Sequence, residues 1–106
     1  MANEYNKRTA LSASTTAAVA DAPADKGLRC HVTVVNKGDV PRNVRLHIGT
    51  STTANAADYL EYDAVVVKGT PLVRGPLVLK LNEKIYAWAN GADVNVVAMG
   101  EEAWTA

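Results

Sequence analysis

A chain of 106 residues with no evident internal linker has room for one domain and a modest core, which argues against a multidomain enzyme. Eleven basic residues balance eleven acidic ones, so recognition of nucleic acid or an anionic membrane by bulk charge is excluded. Hydrophobic residues make up 48% of the chain, yet there is no Phe, and much of that content is Val and Ala. Small side chains bury little area each, so association between copies is an expected source of added stability.

Residues 1–15 are rich in Ala, Ser, Thr and Asn and show no sustained hydrophobic period, so they read as an extended arm preceding a sandwich domain over 16–106. Such a segment cannot offset its own ordering entropy, and a neighbouring molecule is the expected partner that orders it. Tyr5 and Leu11 are the large apolar residues available to anchor it.

A first strand is expected over 16–22, ended by Pro23, which removes a ladder donor. Leu28 to Asn36 alternates clearly, placing Leu28, Cys30, Val32 and Val34 inward and Arg29, His31, Thr33 and Val35 outward. The turn Asn36-Lys37-Gly38-Asp39 leads to Arg42 to Gly49, with Val44, Leu46 and Ile48 inward and Asn43, Arg45 and His47 outward. These two runs read as a hairpin. A polar loop over 50–58 follows, then a strand within 59–67, then one or two short strands broken at Gly75-Pro76. Lys84 to Met99 reads as a terminal hairpin turning at Asn90-Gly91, residue types that tolerate positive φ. Ile85, Ala87 and Ala89 then share one face, and Lys84, Tyr86 and Trp88 the other; Val94, Val96 and Ala98 point inward beyond the turn.

Seven or eight short strands separated by turn signals indicate an all-β fold, a single antiparallel β-sandwich or jelly roll. Cys30 is the one cysteine, so no intrachain disulfide forms, and it reads as a buried structural thiol. The start of the chain shows no signal peptide and no run reaches membrane-spanning length, so synthesis and folding in a cytoplasm are expected.

His31 and His47 fall outward on strands expected to be adjacent, but no further ligand stands at a supporting spacing. Asp58, Glu61 and Asp63 cluster around Tyr59 and Tyr62 without a calcium-type loop and read as a solvated acidic edge. Activated-nucleophile patterns and glycine-rich phosphate cradles are missing, so no catalytic residue, cofactor site or metal site is assigned and the chain reads as a non-enzyme. Tyr86 and Trp88 form an outward aromatic pair that either meets a partner or is covered by the protein itself, with Trp104 as a candidate cover.

Several features follow one another in a fixed order from about residue 16 to 102: an Ala/Thr-rich start, Ala22-Pro23, a strand closing on Val35-Asn36, and NVRLHIG (Asn43 to Gly49). They continue with the apolar run before Lys68-Gly69, LVLKLNEKIYAWAN (Leu77 to Asn90) and DVNVVAMGEE (Asp93 to Glu102). This order of elements resembles that of small virion proteins of tailed bacteriophages. The resemblance implies a β-sandwich virion subunit of the capsid decoration or cement type. Its partner would be the major capsid protein, its state a homo-oligomer with a trimer favoured, and its location the virion. Tyr5, Leu11, Tyr86, Trp88 and Trp104 are then the candidate partner-binding residues. A tail, collar or baseplate subunit is the alternative within that class. A carbohydrate-binding module stacking sugars on Tyr86, Trp88 and Tyr62 is the alternative outside it.

Overall fold

The computed structural model describes residues 3–104, with side chains described for 4–102. Eight strands form in chain order: β1 (Asn3–Ala10), β2 (Ala17–Asp21), β3 (Gly27–Asn36), β4 (Arg42–Gly49), β5 (Tyr59–Val66), β6 (Leu72–Leu79), β7 (Lys84–Ala89) and β8 (Val94–Trp104). The only helical element among the described residues is one 3₁₀ turn, Ala56–Asp58.

The strands divide into two four-stranded sheets, ordered β1-β8-β3-β6 and β2-β7-β4-β5. Strand pairs β1·β8, β2·β7, β3·β6 and β4·β5 are all antiparallel. They are the rungs of one long hairpin whose tip is the β4–β5 loop. The pairs β3·β8 and β4·β7 stitch the rolled ladder into two facing sheets. This is the jelly roll, and the all-β expectation holds.

Two of the expected hairpins do not form. β3 and β4 lie in opposite sheets, and so do β7 and β8. Their connections are arches that cross the sandwich rather than tight turns within a sheet. Turn-forming residues report a reversal of the chain, but an arch and a hairpin need the same residues, and only the hairpin pairs its flanking strands. Asn90-Gly91 illustrates the point, because neither residue adopts positive φ. Gly91 instead leaves room for Arg42: a Cβ there would stand 2.2 Å from Arg42 Nε and displace the guanidinium that bonds Asp93.

The expected arm is also different. Residues 3–10 form β1, an edge strand registered on β8 of the same chain from Asn3↔Glu102 to Ala10↔Asn95. No hydrophobic period marks it because its support comes from backbone pairing, which any side chain permits. Leu11, just beyond, is 2% exposed in the protein's own core. β6 likewise runs through Gly75-Pro76 as a single strand; the ladder to β3 shifts register between Cys30 and Val32, which accommodates the pair as a bulge.

The core lies between the sheets and is made of Val19, Leu28, Cys30, Val32, Val34, Val44, Leu46, Val66, Leu79, Ile85, Val94 and Val96 with several alanines, all at 1% exposure or less. The inward sets expected for β3, β4, β7 and β8 therefore stand, with Ile48 half-buried at the margin. One polar side chain joins the core. Asn36, read from the sequence as a turn residue, is 2% exposed. Its Nδ2 donates to the carbonyls of Val40 (2.8 Å) and Val66 (2.9 Å), and its Oδ1 accepts from the Gly38 amide (2.9 Å). A single amide thus pins β3, the β3–β4 arch and β5 together.

At the same end, Arg42 makes a two-pronged bond to Asp93, Nε to Oδ1 at 2.8 Å and one terminal nitrogen to Oδ2 at 3.3 Å. The Lys37 amide donates to the Asp93 carbonyl, and Asn90 exchanges backbone and side-chain bonds with Asn43. These contacts lock the β7–β8 arch onto the β3–β4 arch. Across the open β5/β6 margin, Arg74 of one sheet faces Glu61 of the other at 3.4 Å.

Candidate functional site

The outer face of the second sheet carries most of the aromatic residues. Cross-strand register places Trp88 beside Arg45 and Tyr86 beside His47 on β7·β4, and His47 beside Tyr59 on β4·β5. On one side of this face the rings stack: His47 lies on Tyr86 with centroids 4.8 Å apart and planes 17° from parallel, and Tyr59 meets His47 edge-on at 5.8 Å. Tyr62 then meets Tyr59 edge-on at 4.9 Å.

The other side is organised by Arg45. The ladder between β4 and β5 shifts register around Arg45, where Val44 pairs Ala64 and Leu46 pairs Glu61, so Tyr62 and Asp63 together oppose one residue. Asp63 takes φ of 55° to make this bulge. Consequently Arg45 receives both an aromatic face and a carboxylate from one short stretch of β5. Its guanidinium sits 4.4 Å from the Tyr62 centroid and 4.5 Å from that of Trp88. Its Nε donates to Asp63 Oδ1 at 2.6 Å, and a terminal nitrogen reaches Oδ2 at 3.3 Å. That bond raises the guanidinium's pKa above its ordinary value. The cation is therefore held between two rings by its own counter-ion, a rigid arrangement for a side chain that otherwise samples many rotamers.

Exposure separates the parts of this face by role. His47 and Tyr86 are each 5% exposed, so they form a foundation; Tyr62 and Val65 are 59% and 65% exposed. Trp88 and Arg45 stand between foundation and solvent, and Asp63 is exposed. The solvent-facing part is Tyr62, Val65, Trp88 in part and the Arg45–Asp63 pair, apolar and aromatic with its charges mutually satisfied.

The residues singled out in the sequence are dispersed. Tyr5 is half-buried, with its hydroxyl accepting the Asp21 amide at 2.8 Å, and Leu11 is buried, so both bind their own sandwich. Tyr86 is covered rather than presented, which removes it from any sugar-stacking platform. Trp88 is retained at the site. The Trp104 side chain lies outside the described residues; its backbone pairs with Gly27 in the first sheet. His31 and His47 occupy opposite sheets, which overturns the expectation that they neighbour each other. Among the described residues, no three His, Cys, Asp or Glu side chains gather as a metal site requires, and no helix is long and apolar enough to cross a membrane.

Arg45 and Tyr59 join the site without having been singled out in the sequence, and His47, outward as expected, is covered by its neighbours. The signal was present in their outward parity. What the sequence did not carry was that β4 lies between β7 and β5, the order that turns scattered outward residues into one surface. Compared with known families, curated proteins and solved structures, the chain matches none.

Proposed function

We propose that this chain is a non-enzymatic structural subunit of a tailed-phage virion, a decoration or cement protein that binds the major capsid protein and stabilises the shell. The observation that carries the reading is the Tyr62–Arg45–Trp88 sandwich with Val65 beside it. Tyr, Trp and Arg are the residues enriched where protein partners meet, and a clamped guanidinium loses little freedom on binding. The mutual neutralisation of Arg45 and Asp63 suits contact with a protein surface rather than a polyanion. Jelly rolls serve in many viral shells, and this supports the assignment by analogy of fold. Repetition over a shell turns a modest single contact into durable attachment.

The test is a map of phage particles together with a binding assay on purified shells. Copies of the chain distributed over the shell support the proposal, and Tyr62→Ser with Val65→Asp, both at exposed positions, should lower shell occupancy about tenfold or more. Undiminished occupancy by that double variant would remove this face from the contact. Location of the chain on the tail axis would replace the capsid role with the tail, collar or baseplate reading.

A further inference from the structure

We infer that β1 is an exchange strand: between associated copies of this chain it leaves its own β8 and pairs with β8 of the next copy, pivoting at Ser12–Thr16. The inference concerns contacts between copies and stands whatever the outer face of the second sheet binds.

Four observations carry it. First, β1 is an edge strand with β8 as its one neighbour in the sheet. The ladder from Asn3↔Glu102 to Ala10↔Asn95 is made of backbone groups, and every copy offers the same vacated edge.

Second, β1 contributes little apolar burial. Its inward positions, opposite Gly100, Ala98 and Val96, are Tyr5, Lys7 and Thr9. Tyr5 and Lys7 are tied to Asp21 by hydrogen bond and ion pair. The Thr9 hydroxyl is buried with no hydrogen-bond partner among the described residues. Next to it lies a depression of about 320 Å³ lined by β1 and β8 residues alone, Arg8 to Ala10 and Asn95 to Val97. β1 thus brings fewer buried apolar side chains to β8 than β3 does, where Leu28, Cys30, Val32 and Val34 point into the core.

Third, the segment that would pivot holds one of the three non-glycine residues with positive φ among the described residues. Ser14 takes φ of 53°, a left-handed conformation that a side chain disfavours. It is held there by its amide donating to the Ala89 carbonyl at 2.8 Å. Ser12 to Thr15 are exposed, so straightening this turn uncovers no core. A strained hinge of this kind relaxes when the strand it reverses is handed to a neighbour. Extended, Ser12–Thr16 spans roughly 17 Å.

Fourth, Leu11 stands at the end of β1 with its side chain 2% exposed and its amide bonded to the Val94 carbonyl at 3.0 Å. Moving with β1, it plugs the neighbour's core at the site its counterpart has left. The contacts of β1 and Leu11 are then remade between chains while the Ser14 turn is given up, and the exchange closes as a reciprocal pair or a ring.

Asn6 and Met99 face each other across β1·β8 on the solvent side, which makes them the reporters. Asn6→Cys and Met99→Cys proteins are refolded together from micromolar to millimolar concentration and treated with a short bismaleimide; Cys30 is buried and stays unreactive. Exchange predicts a mixed dimer of Asn6→Cys with Met99→Cys, rising with concentration. The Asn6→Cys/Met99→Cys double variant should give dimers and larger species. Ser14→Pro, which cannot hold positive φ or donate to Ala89, should raise the intermolecular share several-fold, and Ser14→Gly should lower it. Cross-linking of the double variant only within single chains at every concentration would overturn the inference. So would dimers formed as readily by Asn6→Cys alone, which would reveal packing of faces rather than exchange.

Discussion

His47 lies flat against Tyr86, 4.8 Å between ring centroids, although each belongs to the solvent side of its strand. Its Nε2 is 3.0 Å from the Ser51 carbonyl, so the same ring that covers Tyr86 also holds the start of the 50–58 loop. His47→Ala is expected to cost about 1–3 kcal/mol through loss of both. A double-mutant cycle with Tyr86→Leu should show coupling of about 0.5–1.5 kcal/mol by urea denaturation. Additive effects would mean that the stack contributes no energy of its own.

Asn36→Ala should be among the most damaging single changes. It leaves the Val40 and Val66 carbonyls and the Gly38 amide without their partner at the edge of the core. An expected loss of about 1–3 kcal/mol follows mainly from orphaning the buried Val66 carbonyl, with the other two groups only partly buried. Thermal denaturation should report it as a large fall in Tm, and Asn36→Asp should not rescue it, because a carboxylate cannot donate to the two carbonyls.

Acid sensitivity should concentrate at the arches. The Arg42 guanidinium bonded to Asp93 holds that carboxyl below its ordinary value of 3.8, with Lys37 adding a smaller effect. A carboxylate with a depressed folded pKa contributes stability that is complete above the unfolded value and is lost as pH falls through the folded one. The wild-type Tm should therefore drop as pH is lowered below about 3.8. Asp93→Asn should start lower and show a shallower fall over that range. An identical acid profile in the two proteins would place the sensitive group elsewhere.

Cys30 should behave as a reporter of global opening. It is 1% exposed, and burial pushes its thiol up to about 11. The thiolate is the reactive form, so alkylation near neutral pH should be negligible in the folded protein. The labelled fraction should rise along the denaturant curve measured by circular dichroism. Rapid labelling under native conditions would show that β3 opens locally.

How far the fold could be read depends on which property each element relies on. β3 and the inward halves of β4, β7 and β8 were legible because Val, Leu, Ile and Ala recur there with period two, the direct imprint of a half-buried strand. β1 was not, since Glu4 to Ala10 offers Tyr5 as its one large apolar residue and is otherwise held by its ladder. Sheet membership was also hidden. An arch and a hairpin share the same turn residues, so Lys84 to Met99 looked like one hairpin when its halves belong to opposite sheets. The site inherited that ambiguity: Trp88 and Tyr86 were identifiable as outward aromatics. Their neighbours Arg45 and His47 could be assigned only once β4 was known to lie beside β7.

The rolled ladder also sets an order of events for folding. Its one local rung is β4·β5, joined across the 50–58 loop, while β1·β8 joins residues from nearly opposite ends of the described chain. Each successive rung, β3·β6, β2·β7 and β1·β8, closes a loop already shortened by the rung before it, so zipping outward from Arg42–Val66 is the entropically cheapest route. On that route the edge of β8 that receives β1 is the final vacancy. A crowded nascent subunit thus passes through a stage in which a neighbour's first strand and its own compete for the same place.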